Sequence, residues 1–194
     1  MRAEIDTIRP PAKSNLQWSE ALRDGTAVRI RPMTSDDAEL ERQFLGGLSI
    51  RTRRLRFLAI VEPSNALVKR LTTFDPEFDL ALVALPAEGP QIALGVARFC
   101  RCQDEREHGR EERECAVVVA DQWQRRGLGT LLMNRLVECA RERGVRRLIS
   151  FDAAANEEMD QLARKLHFRR ERDPFDPTLV RHVLEIPEIV GAAP

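Results

Sequence analysis

Residues 114–130 read ECAVVVADQWQRRGLGT and combine a strand, a glycine-containing turn and the start of a helix. The apolar run at 115–120 is rich in valine, which is typical of a strand buried on both faces. Over 130–143 the apolar residues recur at helical spacing, and Gly144 stands where a left-handed helix cap is common. We therefore predict a strand-turn-helix unit here and interpret the other elements around it.

The turn of this unit has the features of an anion-binding site. A helix start leaves backbone N–H groups without partners and carries a partial positive charge. Gly127 and Gly129 put no side chain between an anion and the backbone, while Arg125 and Arg126 add charged donors. The expected ligand is a phosphate or a pyrophosphate. A dinucleotide-binding turn would need a third glycine where Leu132 stands, and a Walker turn would need Gly-Lys-Ser/Thr, so the sequence excludes both.

The segment QRRGLG at 124–129 resembles the Gln/Arg-x-x-Gly-x-Gly/Ala motif of the GNAT superfamily of acetyl-CoA-dependent N-acetyltransferases, in the same strand-turn-helix context. The resemblance implies acetyl-CoA as cosubstrate. It also implies that pantetheine adds like a strand into an opening between the central strand and the next one. The cofactor-binding residues implied in this way are Val117, Val118, Val119, Gln124, Arg125, Arg126, Gly127, Leu128, Gly129, Thr130 and Asn156.

A second segment narrows the resemblance. Leu48-Ser49 followed by LRFL at 55–58 is similar to the Leu-Ser-x-x-Ser-x-x-x-Arg-Phe-Phe segment of one GNAT group. That group comprises bacterial protein lysine acetyltransferases that modify acyl-CoA synthetases. Thr52 and Leu58 depart from the pattern, since they stand in place of Ser and Phe.

The first predicted strand adds to this match, because DGT at 24–26 and IRP at 30–32 resemble the first strand of the same domains. Together the two segments favour a protein lysine as the acceptor amine. Two alternatives stay open. One is acetylation of a small amine such as a polyamine, an amino acid or an antibiotic. The other is a catalytically silent module that binds acyl-CoA and regulates a partner.

A further family landmark follows the central helix. Asn156, then Met159, then His167-Phe168 at a helix end resembles Asn-x-x-Met/Ala ending in Gly-Phe. The resemblance implies that the Asn156 side chain bonds the cofactor or the adjacent strand. His167 stands in place of the family's glycine. The preferred interpretation is a surface histidine, because imidazolium is favoured at helix C-termini, and the alternative is a catalytic group.

Acetyl transfer to a lysine requires a base, because the amine has a reference pKa of about 10.4. The resemblance places the general base at Glu114, and the alternative is that Glu114 is one more acid of the charged loop at 104–113. The chain has no tyrosine, the residue with which many GNAT enzymes protonate the leaving thiolate. Because a thiol has a reference pKa of about 8.5, the thiolate can leave with help from water.

Length, charge balance and apolar content limit the classes of protein to which this chain can belong. The 194 residues suit one main domain, and 31 basic residues balance 31 acidic ones, so we expect no nucleic acid and no anionic membrane as partner. No apolar run reaches the roughly 18 to 20 residues that span a bilayer, and we predict a cytoplasmic protein. A homodimer stays open.

Three of the four cysteines fall in neighbouring predicted strands, at Cys100, Cys102 and Cys115, and His108 lies in the loop between them. A zinc site is one interpretation, although Cys-x-Cys is not the usual ligand spacing. The preferred interpretation is reduced thiols that fill the sheet, with no metal.

The order of predicted elements indicates an α/β (α+β) fold with a mixed, mainly antiparallel sheet flanked by helices. The resemblance implies that this sheet is GNAT-like, with a splayed central strand pair. We expect an N-terminal extension at 1–23 with a short helix at 14–22, the acetyltransferase domain at 24–188, and a tail at 189–194. Further helices are expected to begin near residues 34, 49 and 64 and to cover 130–143 and 156–166. Strands are expected at 26–31, 78–85, 91–102, 115–120, 147–151 and 178–186.

Overall fold

A computed structural model describes residues 16–102 and 111–187. One eight-stranded sheet runs through the described residues in the order β1-β2-β3-β4-β5-β6-β8-β7. Neighbouring strands are antiparallel except β5 and β6, which are parallel, so the expected mixed, mainly antiparallel sheet is confirmed. The strands are β1 Trp18–Ala21, β2 Ala27–Pro32, β3 Leu80–Pro86, β4 Gly95–Arg101, β5 Glu112–Val119, β6 Arg147–Ala153, β7 Arg169–Arg172 and β8 Leu179–Glu185.

Helices cover both faces of the sheet. On one face, α4 buries Leu132 and Leu136 against the strands, and α5 buries Ala163. On the other face, α1 and α3 bury Phe44 and Leu71, and α2 lies beside them. The α-helices of the described residues are α1 Ala38–Gly47, α2 Ile50–Phe57, α3 Asn65–Thr72, α4 Leu128–Glu142 and α5 Glu157–Lys165. Each corresponds to a predicted helix.

The predicted helix at 14–22 is wrong over the described residues, because Trp18–Ala21 forms β1 and pairs with β2. Trp18 and Glu20 turn inward and are half-buried, while Ser19 and Ala21 are exposed. Glu20 accepts a hydrogen bond from Arg135 of α4 at 2.8 Å, a tertiary contact that no local pattern announces. The sheet therefore begins inside the segment predicted as an extension.

Two other strand predictions needed correction. β7 was missed because its sequence RRER has no apolar alternation and its side chains are mainly exposed at the edge of the sheet. The central strand was expected at 115–120 but begins at Glu112. Glu112, Arg113 and Glu114 therefore belong to the strand and not to the loop before it.

The central parallel pair separates halfway along. β5 and β6 pair from Glu112 opposite Arg147 to Glu114 opposite Ile149, and no further. β5 nevertheless continues to Val119, paired on its other side with β4, and β6 continues beside β8. The expected splayed strand pair is confirmed, and the facing edges beyond Glu114 carry backbone groups without a partner strand.

Candidate active site

A cavity of about 930 Å³ opens where β5 and β6 separate. Side chains of β5 alternate across the sheet, so the cavity reaches both faces. On the α4 and α5 face it is lined by Val117, Val119 and Met159, and on the α2 face by Glu114 and Arg98. One continuous space therefore connects two chemically different surfaces through the gap in the sheet.

The cavity reaches the start of α4. Gly127 is the N-cap of this helix and has a φ of 94°, a left-handed conformation that favours glycine. The N–H groups of the first helical turn have no partner within the helix. A Cβ on Gly129 would lie 3.5 Å from Leu162 and 3.7 Å from Val119, which line the same cavity. Arg125 and Thr130 line the same end of the cavity. The turn thus presents backbone N–H groups and Arg125 to the cavity, and anion binding at this turn stays a prediction.

The structure brings most of the predicted site residues together around the cavity. Arg126 is turned away: its guanidinium pairs with Asp24 at 3.3 Å and lies 4.8 Å from the ring centre of Trp123. The Leu128 side chain is buried in the core, 1% exposed. The predicted residues that line the cavity are Glu114, Val117, Val118, Val119, Gln124, Arg125, Gly127, Gly129, Thr130 and Asn156.

Two of these lining residues have their side-chain amides engaged by the protein itself. Gln124 donates to the carbonyl of Val119 at 3.1 Å, which fixes the turn against the end of β5. Asn156 is the N-cap of α5, because its Oδ1 accepts from the Met159 N–H at 3.2 Å. The expected bond from Asn156 to the adjacent strand is not among the contacts of the described residues. Its position as N-cap indicates a role in holding α5 in place.

Helix α2 is held over the opening by a carboxylate that follows β5. Asp121 accepts hydrogen bonds from the Ser49 N–H at 2.9 Å and from the hydroxyls of Ser49 and Thr52, both at 2.7 Å. Thr52 therefore retains the hydroxyl that the family pattern supplies with serine. As a result, Arg56 and Phe57 of α2 line the cavity.

Glu114 lies at the point where the strands separate, on the α2 face of the cavity. Burial raises the pKa of its carboxyl group, and the positive charge of Arg56 opposes part of that shift. The carboxylate has no hydrogen-bond or ion-pair partner in the described ranges. It is therefore available to accept a proton from a molecule in the cavity.

The sequence did not predict the buried ion pair between Arg98 and Glu41 on the Glu114 side of the sheet. Arg98 lines the cavity, donates to Glu41 at 3.1 Å and also donates to the Leu71 carbonyl at 3.0 Å. Glu41 is 1% exposed, and burial raises the pKa of its carboxyl group against the opposing charges of Arg98 and Arg56. The available signal was the position of Glu41, three residues before buried Phe44 in α1.

A second polar group lies under the α5 face of the cavity and was also missed. His182 is 1% exposed, and its ring nitrogens lie 2.9 Å from Asp152 and 3.3 Å from Asp160. Ser150 donates to the same Asp152 oxygen at 2.8 Å, and both residues line the cavity. Burial lowers the pKa of His182, but the two carboxylates raise it more, so its pKa lies above the usual value.

The structure also shows where the cysteine and histidine candidates lie. Cys100 faces the cavity opposite Glu114, and burial together with the Glu114 charge raises the pKa of its thiol to about 11. The described residues hold no group of three metal-ligating side chains, and His108 lies outside them. His167 is exposed, does not line the cavity and has a φ of 63°, which explains why the family pattern has glycine there.

Comparison with known proteins decides the family. The model of the acetyltransferase (GNAT) family matches residues 53–168, a segment that contains the second half of α2, the splayed strands and the glycine turn. The chain belongs to the GNAT acetyltransferase family. An acetyltransferase of Pseudomonas aeruginosa is 42% identical over 171 residues, which cover 87% of this chain and 89% of that protein. The protein is accordingly an N-acetyltransferase by family.

Two further relatives carry the same domain. The crystal structure of the GNAT domain of S. lividans PAT superposes with a TM-score of 0.81 at 28% identity, over 91% of this chain and 100% of that chain. The acetyltransferase Pat of Mycolicibacterium smegmatis is 30% identical over 146 residues, which cover 73% of this chain but only 42% of that protein. The GNAT-like fold is therefore confirmed.

GNAT enzymes take acetyl-CoA as donor, and the residues present fit that molecule. The open N–H groups at the start of α4 suit the pyrophosphate, and the unpaired edge of β5 suits an extended pantetheine arm. Any Cβ on Gly127 would lie 3.4 Å from the Arg23 side chain.

None of the described helices is both long and apolar enough to span a membrane.

Proposed function

We propose that this GNAT enzyme transfers an acetyl group from acetyl-CoA to the side-chain amine of a lysine on a protein, with Glu114 as general base. The observation that carries the proposal is the position of Glu114. Its carboxylate has no hydrogen-bond or ion-pair partner among residues 16–102 and 111–187, its pKa is raised, and it lies on the last paired rung before the strands separate. A base at this point lies where an acceptor amine entering from the α2 face would meet an acetyl group held in the opening between β5 and β6.

The donor side of the cavity supports acetyl-CoA as cosubstrate. Bound acetyl-CoA supplies the acetyl group as a thioester. The residues proposed to hold it are the predicted lining residues of β5 and of the turn from Gln124 to Thr130. The α4 N-terminus and Arg125 stabilise negative charge, while Val117 and Val119 provide an apolar wall. Arg126 and Leu128 are proposed to contribute only through their backbone.

The acceptor side supports proton removal by Glu114. Arg56 lines this side, and burial and Arg98 lower its pKa only to about 10, so it stays charged near neutrality. Positive charges on Arg56 and Arg98 disfavour a further cation beside them, so they favour the neutral form of an incoming amine. Glu114 accepts the proton that the amine loses when it attacks the thioester. In a chain without tyrosine, water is proposed to protonate the leaving thiolate.

Two observations favour a protein acceptor over a small amine. The segment from Leu48 to Leu58, on which the resemblance to protein lysine acetyltransferases rests, forms the wall of the acceptor side. In addition, large apolar side chains are exposed around it: Ile50 is 68% exposed, Leu58 38% and Ile60 77%. Exposed apolar side chains beside a cavity are typical of protein-binding surfaces. Free thiols in the described residues fit the predicted cytoplasm, and a homodimer stays a prediction.

The experiment that tests this proposal is turnover of acetyl-CoA against a panel of acyl-CoA synthetases and small amines, with Glu114→Gln run beside the wild type. We expect a synthetase lysine to be acetylated by the wild type and far more slowly by the variant. Acetylation of small amines alone would transfer the proposal to the small-molecule class. Tight acetyl-CoA binding without acetylation of any acceptor would favour the silent module.

A further inference from the structure

The hairpin of β1 and β2 is fastened to the start of the site through α4. Along β1, Glu20 accepts a hydrogen bond from Arg135 of α4 at 2.8 Å. At the hairpin turn, the Arg23 N–H donates to the Arg126 carbonyl at 3.3 Å, and Asp24 pairs with the Arg126 guanidinium at 3.3 Å. The hairpin and the glycine turn therefore form one connected unit.

This unit holds the Arg23 side chain across the phosphate end of the cavity. Its Cγ lies 3.4 Å and its Nε 3.5 Å from the point that a Cβ on Gly127 would occupy, so the side chain passes directly over the N-cap of α4. Arg23 is exposed and lines the cavity. Its guanidinium has no hydrogen-bond or ion-pair partner in the part of the chain that the structure describes.

Arg126, the neighbouring cation, has a different environment. Asp24 and the Trp123 ring both engage its guanidinium, and it does not line the cavity. The hairpin therefore does two things at the turn: Asp24 draws one arginine of the motif away, and Arg23 puts another arginine over the exposed helix start. At this end of the cavity the positive charge therefore comes from Arg125 of the motif and Arg23 of the hairpin, and not from Arg126.

We propose that Arg23 is a phosphate-binding residue of the donor site, supplied from outside the segment 53–168 that matches the family. A guanidinium pairs with two phosphate oxygens at once, and the open N–H groups of α4 lie at the same end of the cavity. The recognised chemistry is a phosphate ester or diphosphate. In CoA this is either the pyrophosphate bridge or the ribose 3′-phosphate. The inference rests on the proposed acetyl-CoA dependence.

The test is calorimetric binding of CoA, 3′-dephospho-CoA and pantetheine to the full chain, comparing wild type with Arg23→Gln. We expect the variant to bind CoA about tenfold more weakly, the loss typical of one hydrogen-bonded charge. Pantetheine affinity should not change. An equal loss for CoA and 3′-dephospho-CoA assigns Arg23 to the pyrophosphate, and a loss for CoA alone assigns it to the 3′-phosphate.

Arg141→Gln is the matched control, because Arg141 is an exposed arginine in the last turn of the same helix. It removes the same charge far from the phosphate end and should change CoA affinity less than twofold. CoA binding by Arg23→Gln should also depend less on salt than wild-type binding, since one screened charge contact is gone.

Equal CoA affinity and salt dependence in wild type and Arg23→Gln would overturn the inference while leaving the proposed function intact. An equal loss for CoA and pantetheine would also overturn it, because the effect would not depend on phosphate. A wild-type chain that binds neither CoA nor pantetheine would overturn the proposed function as well.

Discussion

The position of Glu114 in the sheet determines the burial and the raised pKa of its carboxyl group. It occupies the last rung on which β5 and β6 pair, so its carboxylate lies half-buried at the opening of the sheet. Two residues earlier on the same strand, Glu112 pairs with Arg147 at 3.3 Å. The two acids have the same side chain, but only Glu114 lines the cavity without an ion-pair partner among the described residues.

Asn156 provides a residue-scale prediction. Because its Oδ1 caps α5, Asn156→Ala should lower the free energy of unfolding by about 0.5 to 2 kcal/mol. Asn156→Ser keeps a capping oxygen and should restore most of that stability. Thermal and urea unfolding measure the change, and the Michaelis constant for acetyl-CoA separates cap from ligand contact. A Ser variant with full stability but a much higher Michaelis constant would show that the amide contacts the cofactor.

Helix α2 shows how one element is positioned by another that is distant in sequence. Its N-terminus is held by Asp121, about 70 residues further along the chain. Burial alone would raise the pKa of Asp121, but the hydrogen bonds from Ser49 and Thr52 lower it overall. The carboxylate is thus tied to the α2 N-terminus as an anion, and the wall that carries Arg56 follows its position.

From this contact we predict that Asp121→Ala loosens α2 without abolishing the fold. Loss of hydrogen bonds to a charged acceptor should cost about 1 to 3 kcal/mol of unfolding free energy. The Michaelis constant for the acceptor should rise more than that for acetyl-CoA, because α2 lines the proposed acceptor side of the cavity. Asp121→Asn keeps one acceptor oxygen and should be intermediate. Unchanged protection of α2 amides from hydrogen exchange in Asp121→Ala would contradict the prediction.

Elements defined by local pattern were predictable from the sequence, and elements defined by distant contacts were not. The unit of β5, the glycine turn and α4 was predicted because its apolar run, its glycines and its helical period are all local. β1 was wrongly predicted as a helix. Its inward residues, Trp18 and Glu20, contact Arg135 of α4, which is distant in sequence, so no local pattern indicates the strand. β7 has no apolar face, and it forms a strand because its backbone pairs with β8.

Across the whole molecule, the opening between β5 and β6 joins the two faces of the sheet, on which the proposed donor and acceptor sides lie. The resemblance to a family predicted the opening, whereas the buried charges that border it could not be derived from spacing. Arg98 and Glu41 are 57 residues apart in sequence, and only the packing of α1 on the sheet brings them together. His182 occupies an ordinary inward position of β8, where periodicity predicts an apolar residue.

The His182 group predicts a pH dependence of stability. Its folded-state pKa is raised, so its contribution is fully present below the unfolded pKa near 6.5 and is lost as pH rises through the folded pKa. Asp152 and Asp160 face the ring, and Arg164 and Arg170 pair with Asp160. We expect the unfolding free energy to fall between pH 6 and pH 8 in the wild type. His182→Gln should remove this part of the slope, and an identical slope in both proteins would contradict the assignment.

The pH dependence of turnover tests most directly whether Glu114 acts as a base. With an acceptor that the wild type acetylates, Glu114→Gln should reduce turnover by about 10² to 10⁴. The gap should narrow from pH 6 to pH 9, because higher pH supplies neutral amine without a base. Acetyl-CoA affinity should persist, and Glu111→Gln, which removes an exposed acid just before β5, should behave like the wild type. Equal turnover by Glu114→Gln and wild type across this pH range would contradict the account.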